Sequence, residues 1–353
     1  MTLAARDDEV IVQRRGAAGV IVLNRPKALN SLTLAMVRKM AAALEEWRGD
    51  GTITRIVIRG AGERAFCAGG DIRRLYDLGR VGNHDSQLTF WREEYLLVWC
   101  IKTYPKPIVA LVDGIVMGGG AGLAINAAHV VAGDRFLFAM PEVGIGFFPD
   151  VGAAWFLPRL PRRTGFYFAL TGLRANAGDA LAVGLARTFA ASATFEPLAR
   201  ALEDEEPVDA TVARFAAPPP PSALMSQSES VEACFSLSTR EAILEALRKA
   251  QSEGLGFAAP ARGAIVEKSP TSQGIALKQM TLGAALDFGQ ALRTDYRIVS
   301  RICRGHDFYE GVRAVIVDRD NRPRWSLPPS AAEIDAYFAP LASGELTFPA
   351  RDR

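Results

Sequence analysis

DGIVMGGGAGLAI, residues Asp113–Ile125, crowds glycines at positions 114, 118, 119, 120 and 122 between two apolar runs. Upstream, Ile108–Val112 is continuously apolar and reads as a buried strand, and Ala121–Ala128 reads as a helix. Glycines where a strand turns into a helix let a backbone N–H approach a ligand closely, and the helix start adds a partial positive charge. The arrangement recurs in Arg64–Arg74 (RAFCAGGDIRR) and in Met140–Leu160 (MPEVGIGFFPDVGAAWFLPRL). Taken singly, each loop is explained as well by a tight turn and close strand–helix packing. Two N–H groups aimed at one point from such loops would hold a developing thioester oxyanion.

Outward from these loops, Glu9–Gln13 and Gly19–Asn24 are β-branched runs separated by Gly16–Ala18, which reads as a hairpin. Met36, Val37, Met40, Ala43, Leu44 and Trp47 recur at three- and four-residue spacing and predict a helix over Leu34–Trp47. Ile53–Ile58 and Arg135–Ala139 read as strands, Ala61–Tyr104 as a loop followed by a helix containing Trp91–Trp99, and Gly165–Thr171 as the start of another helix. This alternation implies an α/β layer structure. Strand signals stop near Arg187. Pro218–Pro221 predicts an exposed extended linker, and Ser238 with Glu241 resembles a capping box ahead of Ile243–Leu247. Helix dominates from there to Ile302, while Val312–Asp318 fits strand or helix. The expected organisation is a core over residues 1–200 and a mostly helical region over 201–353.

Composition excludes several classes. Lys and Arg total 41 against 39 Asp and Glu, so the net charge of +2 offers no footprint for nucleic acid. Cys67, Cys100, Cys234 and Cys303 form no CxxC pair, and His84, His129 and His306 lie in no metal-ligand spacing, so neither a disulfide framework nor a zinc site is expected. Asp7, Asp8 and Glu9 interrupt the Met1–Arg15 stretch where a secretory signal needs an apolar run. The most apolar stretch, Pro107–Gly133, is broken by Asp113, Asn126 and His129, which argues against a membrane span. The expectation is a cytoplasmic protein, or a mitochondrial-matrix one if a presequence has been removed.

Taken together and in this order, the three loops resemble the crotonase (enoyl-CoA hydratase/isomerase) superfamily over roughly Val10–Leu185, including the opening Leu23-Asn24-Arg25-Pro26 with Ala28-Leu29-Asn30. The resemblance implies a crotonase ββα spiral with a helical C-terminal region and an acyl-CoA substrate. It implies no separate cofactor, because CoA is part of the substrate. It assigns the oxyanion hole to the N–H groups of Gly70 and Gly119, and the nucleotide end to Ala68, Gly70, Asp71, Ile72 and Arg73, with Arg25 and Lys27 as phosphate candidates. Hydratases of the superfamily carry one glutamate shortly after the GGG and another in the Pro-Glu motif. Here the first position is Gly122 and the second is Glu142, while Asp150 stands where hydratases usually carry glycine. That shifted pair is similar to the superfamily's hydroxyacyl-CoA thioester hydrolases. Arg92-Glu93-Glu94-Tyr95, whose Glu94 matches a substrate-side acid there, Ser269-Pro270-Thr271-Ser272 and Arg304–Ala314 resemble the same branch.

Chemistry alone gives the pair a use. A polarised thioester carbonyl needs a carboxylate that activates water or attacks directly, and then a proton for the leaving thiolate. Glu142 fits the first role, and Asp150 fits orientation of a substrate hydroxyl or proton transfer. His306, beside Asp307 and Glu310, suggests a triad, yet no Gly-x-Ser-x-Gly elbow supplies a nucleophile. It reads as structural or as a contact in a homo-oligomer, and Cys67 as a small buried filler. Enoyl-CoA hydration or isomerisation and a non-catalytic binding role on the same scaffold are the competing readings.

Overall fold

The computed structural model describes residues 8–349, so Asp7 and the residues before it lie outside the described range. Its strands are β1 (Val10–Arg15), β2 (Ala18–Leu23), β3 (Arg55–Gly60), β4 (Ala65–Cys67), β5 (Ile108–Val112), β6 (Ile115–Met117), β7 (His129–Ala132), β8 (Leu137–Ala139), β9 (Ala175–Asn176) and β10 (Thr188–Phe189). They form a six-stranded sheet in the order β1-β2-β3-β5-β7-β10 and a four-stranded sheet in the order β4-β6-β8-β9. Only β1 and β2 pair antiparallel in the larger sheet, from Val10 opposite Leu23 to Arg15 opposite Ala18, and this is the expected hairpin.

The connection pattern repeats. β3, β5 and β7 each enter the large sheet, and the strands that follow them, β4, β6 and β8, enter the small one. Helix Ile72–Arg80 follows β4, helix Gly119–Ile125 follows β6, and a 3₁₀ turn Glu142–Ile145 follows β8. These are successive turns of a ββα spiral, the architecture expected from the loops. β5 is buried at every position, as a central parallel strand must be, which explains its unbroken apolar run.

Contacts divide the chain into two compact units that interleave in sequence. The first takes the chain up to Gly70, Leu97–Phe138 and Ala175–Ala223. In it, Ala18, Val20, Val57, Val109, Leu111 and Val131 of the large sheet pack with Leu198, Leu202, Val208 and Val212. Helix Leu34–Arg48 buries the six apolar residues that predicted it, and Thr33 caps it by accepting the Met36 N–H at 3.2 Å. The second unit takes Asp71–Leu96, Ala139–Arg174 and the chain from Leu224 onward. It contains the helices Thr164–Thr171, Ser228–Phe235, Arg240–Ser252, Ala258–Glu267, Pro270–Gly283 and Phe288–Ile302.

Two local expectations change. Helix Arg240–Ser252 is capped by Thr239, whose side chain accepts the Ala242 N–H, rather than by Ser238; the hydroxyl at the residue with extended backbone, one position later, reaches the orphan donor. Val312–Asp318 is helical: His306–Val312 continues into a π turn over Arg313–Val317.

Gly19 has no room for a side chain, because a Cβ there would lie 2.4 Å from Cε3 of the buried Trp47. Gly19→Ala should therefore lower unfolding stability by about 1–3 kcal/mol. Urea denaturation followed by circular dichroism measures it, and an unchanged midpoint would show that Trp47 moves aside freely.

Candidate active site

In the first unit, the glycine loop ahead of Asp71 is stapled to the Leu23–Asn30 opener. Leu29 and Asn30 adopt left-handed backbone angles (φ 52° and 56°), which turns the Asn30 side chain inward. Its amide donates to the carbonyls of Ala65 (2.9 Å) and Ala61 (3.0 Å) and accepts the Arg25 N–H at 2.9 Å. The Ala68 N–H donates to Leu29 and the Leu32 N–H donates to Gly69, which holds the loop along a second edge. Gly69, at φ 104°, leaves just 3.5 Å between where its Cβ would sit and the Gly119 nitrogen, so the two glycine loops lie against each other. Gly119 opens helix Gly119–Ile125, where the first N–H groups have no intrahelical acceptor. Gly120 is equally constrained, since a Cβ would lie 2.2 Å from the Cys67 carbonyl oxygen; Cys67 is buried, as a filler would be.

The second unit gathers the acids. On helix His84–Lys102, Trp91, Glu94, Tyr95 and Val98 share one face at three- and four-residue spacing, and all four are buried. Glu142 opens the 3₁₀ turn, and Asp150 follows in the turn Pro149–Gly152. Glu94, Glu142, Asp150 and Asp295 are 2%, 6%, 4% and 0% exposed. Aromatic rings dry the region: Trp91 stacks on Phe147 at 5.4 Å, and Phe308 meets both.

Burial disfavours the charged form and pushes every one of these carboxyl groups upward. Glu94 rises well above the carboxylate range through burial first, then through the charges of Asp150 and Glu142. Glu142 rises through burial and then Asp150. Asp150 is pushed up to about 7 by burial, against the pull of the Tyr95 hydroxyl. That hydroxyl donates to Asp150 Oδ2 at 2.8 Å. Two buried oxygens, Glu142 Oε2 and Glu94 Oε1, have no hydrogen-bond partner among the described residues. Unsatisfied buried acceptors cost free energy, so two of them under the electrostatic influence of a raised-pKa aspartate make this a candidate functional cluster. The turn beside it is strained. Val151 stands at φ 52° and Gly152 at φ 85°, and a β-branched residue held left-handed costs about 1–3 kcal/mol.

Thus Glu94, Glu142 and Asp150 come together in one unit, and Gly70 and Gly119 lie on neighbouring loops of the other. The basic candidates differ in availability. Arg25 is engaged by Glu9 (3.0 Å) and by the carbonyl and hydroxyl of Ser31, whereas Lys27 is exposed. Asp71 caps helix Ile72–Arg80 by accepting the Arg74 N–H, and Arg73 pairs with Asp77 on the surface. Ala68 and Ile72 are half-buried. His306 bonds the Arg324 carbonyl through Nε2, in keeping with a structural reading. Sequence reasoning missed Tyr95, although it lies next to Glu94 on the same helix face. It also missed Asp295 and Gln279, which carry no local motif.

Comparison with known proteins fits this geometry. A family model described as enoyl-CoA hydratase/isomerase matches residues 18–338. The mitochondrial 3-hydroxyisobutyryl-CoA hydrolase of Danio rerio is 43% identical over 94% of this chain and 88% of its own length. The human protein of that name is 39% identical over 97% and 91%. These relatives are named mitochondrial, so the expectation of a cytoplasmic protein finds no support in them; no helix among the described residues is long and apolar enough to cross a membrane. Among solved structures, a carnitinyl-CoA dehydratase from Mycobacterium thermoresistibile superposes with a TM-score of 0.92 at 36% identity, covering 98% of this chain and all (100%) of its own. An enoyl-CoA hydratase from Rhodobacter sphaeroides gives 0.90 at 37% identity, covering 97% and 100%. With the spiral, the paired glycine loops and a match over most of its length, the chain belongs to the enoyl-CoA hydratase/isomerase family.

Proposed function

We propose that this protein hydrolyses the thioester of 3-hydroxyisobutyryl-CoA, releasing 3-hydroxyisobutyrate and coenzyme A. The observation that carries the proposal is the buried set Glu94, Glu142 and Asp150, with Glu142 Oε2 and Glu94 Oε1 left without partners. In this reading the Gly70 and Gly119 N–H groups polarise the thioester carbonyl. Glu142 either takes a proton from a water whose oxygen attacks the carbonyl, or attacks through its own oxygen to give an acyl-glutamate anhydride that water then cleaves; in both routes the tetrahedral oxyanion collapses with expulsion of the CoA thiolate. Asp150, oriented by Tyr95, holds the substrate hydroxyl and passes a proton toward the leaving sulfur; a carboxyl that titrates near neutrality suits such a transfer. Glu94 serves in this reading as an acid on the substrate side. CoA enters as part of the substrate, with Ala68, Asp71, Ile72, Arg73 and Lys27 at its nucleotide end.

Hydration of an enoyl-CoA is the second reading, favoured by the names of the two solved structures. Against it stands Gly122, buried and bonded through its N–H to Gly118, where hydratases of the family carry their first glutamate.

Thiol release from 3-hydroxyisobutyryl-CoA, assayed beside hydration of crotonyl-CoA, separates the two. Glu142→Gln and Asp150→Asn should each lower kcat for thiol release by roughly 10²–10⁴. Efficient hydration without thiol release by the parent would replace this assignment with the hydratase.

Gly119→Pro deletes one oxyanion donor at a position where a helix accepts proline, so kcat should fall by about 10²–10³ with the fold retained. A folded variant with near-parental activity would remove Gly119 from the mechanism.

The raised Asp150 pKa also makes a stability prediction. Between its ordinary 3.8 and about 7, the folded protein holds a proton that the unfolded chain has lost, so the contribution of Asp150 to stability declines as pH rises through that window and is constant above it. Asp150→Asn escapes this decline. It should be more stable than the parent at pH 8 by on the order of 1–3 kcal/mol, with the gain shrinking toward pH 4. Calorimetric Tm at both pH values tests the sign; equal gains at both would contradict the buried, raised carboxyl.

A further inference from the structure

Asp150 sits on a turn whose backbone is clamped from both sides by two residues far away in sequence. Gln279, on helix Pro270–Gly283, donates from Nε2 to the Pro149 carbonyl at 2.8 Å and to Asp295 Oδ1 at 2.7 Å. Asp295, on helix Phe288–Ile302, accepts the Gly152 N–H on Oδ2 at 3.0 Å. The result is a closed loop of hydrogen bonds running Pro149–Gln279–Asp295–Gly152, with Asp150 and the left-handed Val151 held inside it. Both clamp side chains are fully buried.

We propose that Asp295 and Gln279 are positioning residues: they hold Val151 left-handed and thereby aim the Asp150 carboxyl at its partners. Left to itself, a valine there relaxes toward negative φ. Such a rotation next to Asp150 swings its carboxyl away from the Tyr95 hydroxyl, 2.8 Å distant. Two acceptor oxygens are required at 295, because two donors converge on the side chain from different directions. An asparagine offers one acceptor and one donor, so either the Gly152 N–H or the Gln279 amide would face another N–H. Its two oxygens meet the Gly152 N–H and the Gln279 amide, and no cation among the described residues, so its bonds serve the turn rather than an ion pair.

The kinetic consequence rests on the hydrolase reading; the conformational one does not. Asp295→Asn and Gln279→Leu, made in the full chain, should each lower kcat for thiol release by about 10²-fold, the cost of misplacing a reacting group by an ångström, with KM changed less than about 3-fold. Crystal structures of the variants should show Val151 at negative φ and the Tyr95–Asp150 hydrogen bond broken. Parental kcat in either folded variant would overturn the proposal, as would lost activity with Val151 and Asp150 still in place. Collapse of the helical circular dichroism in both variants would also overturn it, by making the pair supports of the fold as a whole. If the parent releases no thiol, the hydrolase assignment fails while the Val151 angle still decides the clamp.

Discussion

Placing Glu94, Glu142, Asp150 and Asp295 almost out of water within one compact unit imposes a cost that the surrounding structure has to meet. Each group is raised by burial, and the charges of neighbouring members raise Glu94, Glu142 and Asp295 further. Asp150 is the common neighbour, since its charge raises each of the other three. In the proposed hydrolysis, thiolate departure would consume a proton from the cluster, and nucleophile delivery would need one of its members ionised. Tyr95 discriminates among the four: its hydroxyl favours the charged form of Asp150, which burial nonetheless pushes up to about 7.

Such a cluster keeps its geometry only if the backbone bearing it is rigid, and the late helices provide that. A Cβ on Gly146 would lie 1.9 Å from the Asp307 carbonyl oxygen, one on Gly311 would lie 2.3 Å from the Ile145 carbonyl carbon, and one on Gly152 would lie 2.6 Å from the Phe288 ring. Helices from the last third of the chain therefore press directly onto the 142–156 segment, and glycine is the residue that lets them. Asp307 extends this support: Ser269 donates to one of its oxygens and the Ser326 N–H to the other. In the first unit Asn30 does comparable work, bridging two carbonyls of the strand and turn that lead into the Ala68–Gly70 loop.

The parts legible in the sequence were those with local cause. The hairpin, helix Leu34–Arg48 and strand β5 announce themselves through period or unbroken apolarity, and the glycine loops through composition. β4, β6, β9 and β10 are two or three residues long and owe their existence to the strands beside them, so no periodicity could reveal them. The site divides along the same line. Glu142 and Asp150 lie in one motif-bearing stretch, whereas Asp295 reaches Gly152 across 143 positions and Gln279 reaches Pro149 across 130, and a hydrogen bond at that separation leaves no trace in either local sequence.

Fold and chemistry are separable here. Structures named a dehydratase and a hydratase share the whole architecture at TM-scores of 0.92 and 0.90, so the spiral by itself selects no reaction. What differs, by the family pattern, is where acids stand. Gly122 leaves helix Gly119–Ile125 without one, and that helix is lined with buried small residues that leave the position apolar. Asp150 places an acid instead on a turn whose two flanks are hydrogen-bonded by helices Pro270–Gly283 and Phe288–Ile302. On the proposed reading the helical last third shares in the chemistry, because its hydrogen bonds to Pro149 and Gly152 flank the left-handed Val151 next to Asp150.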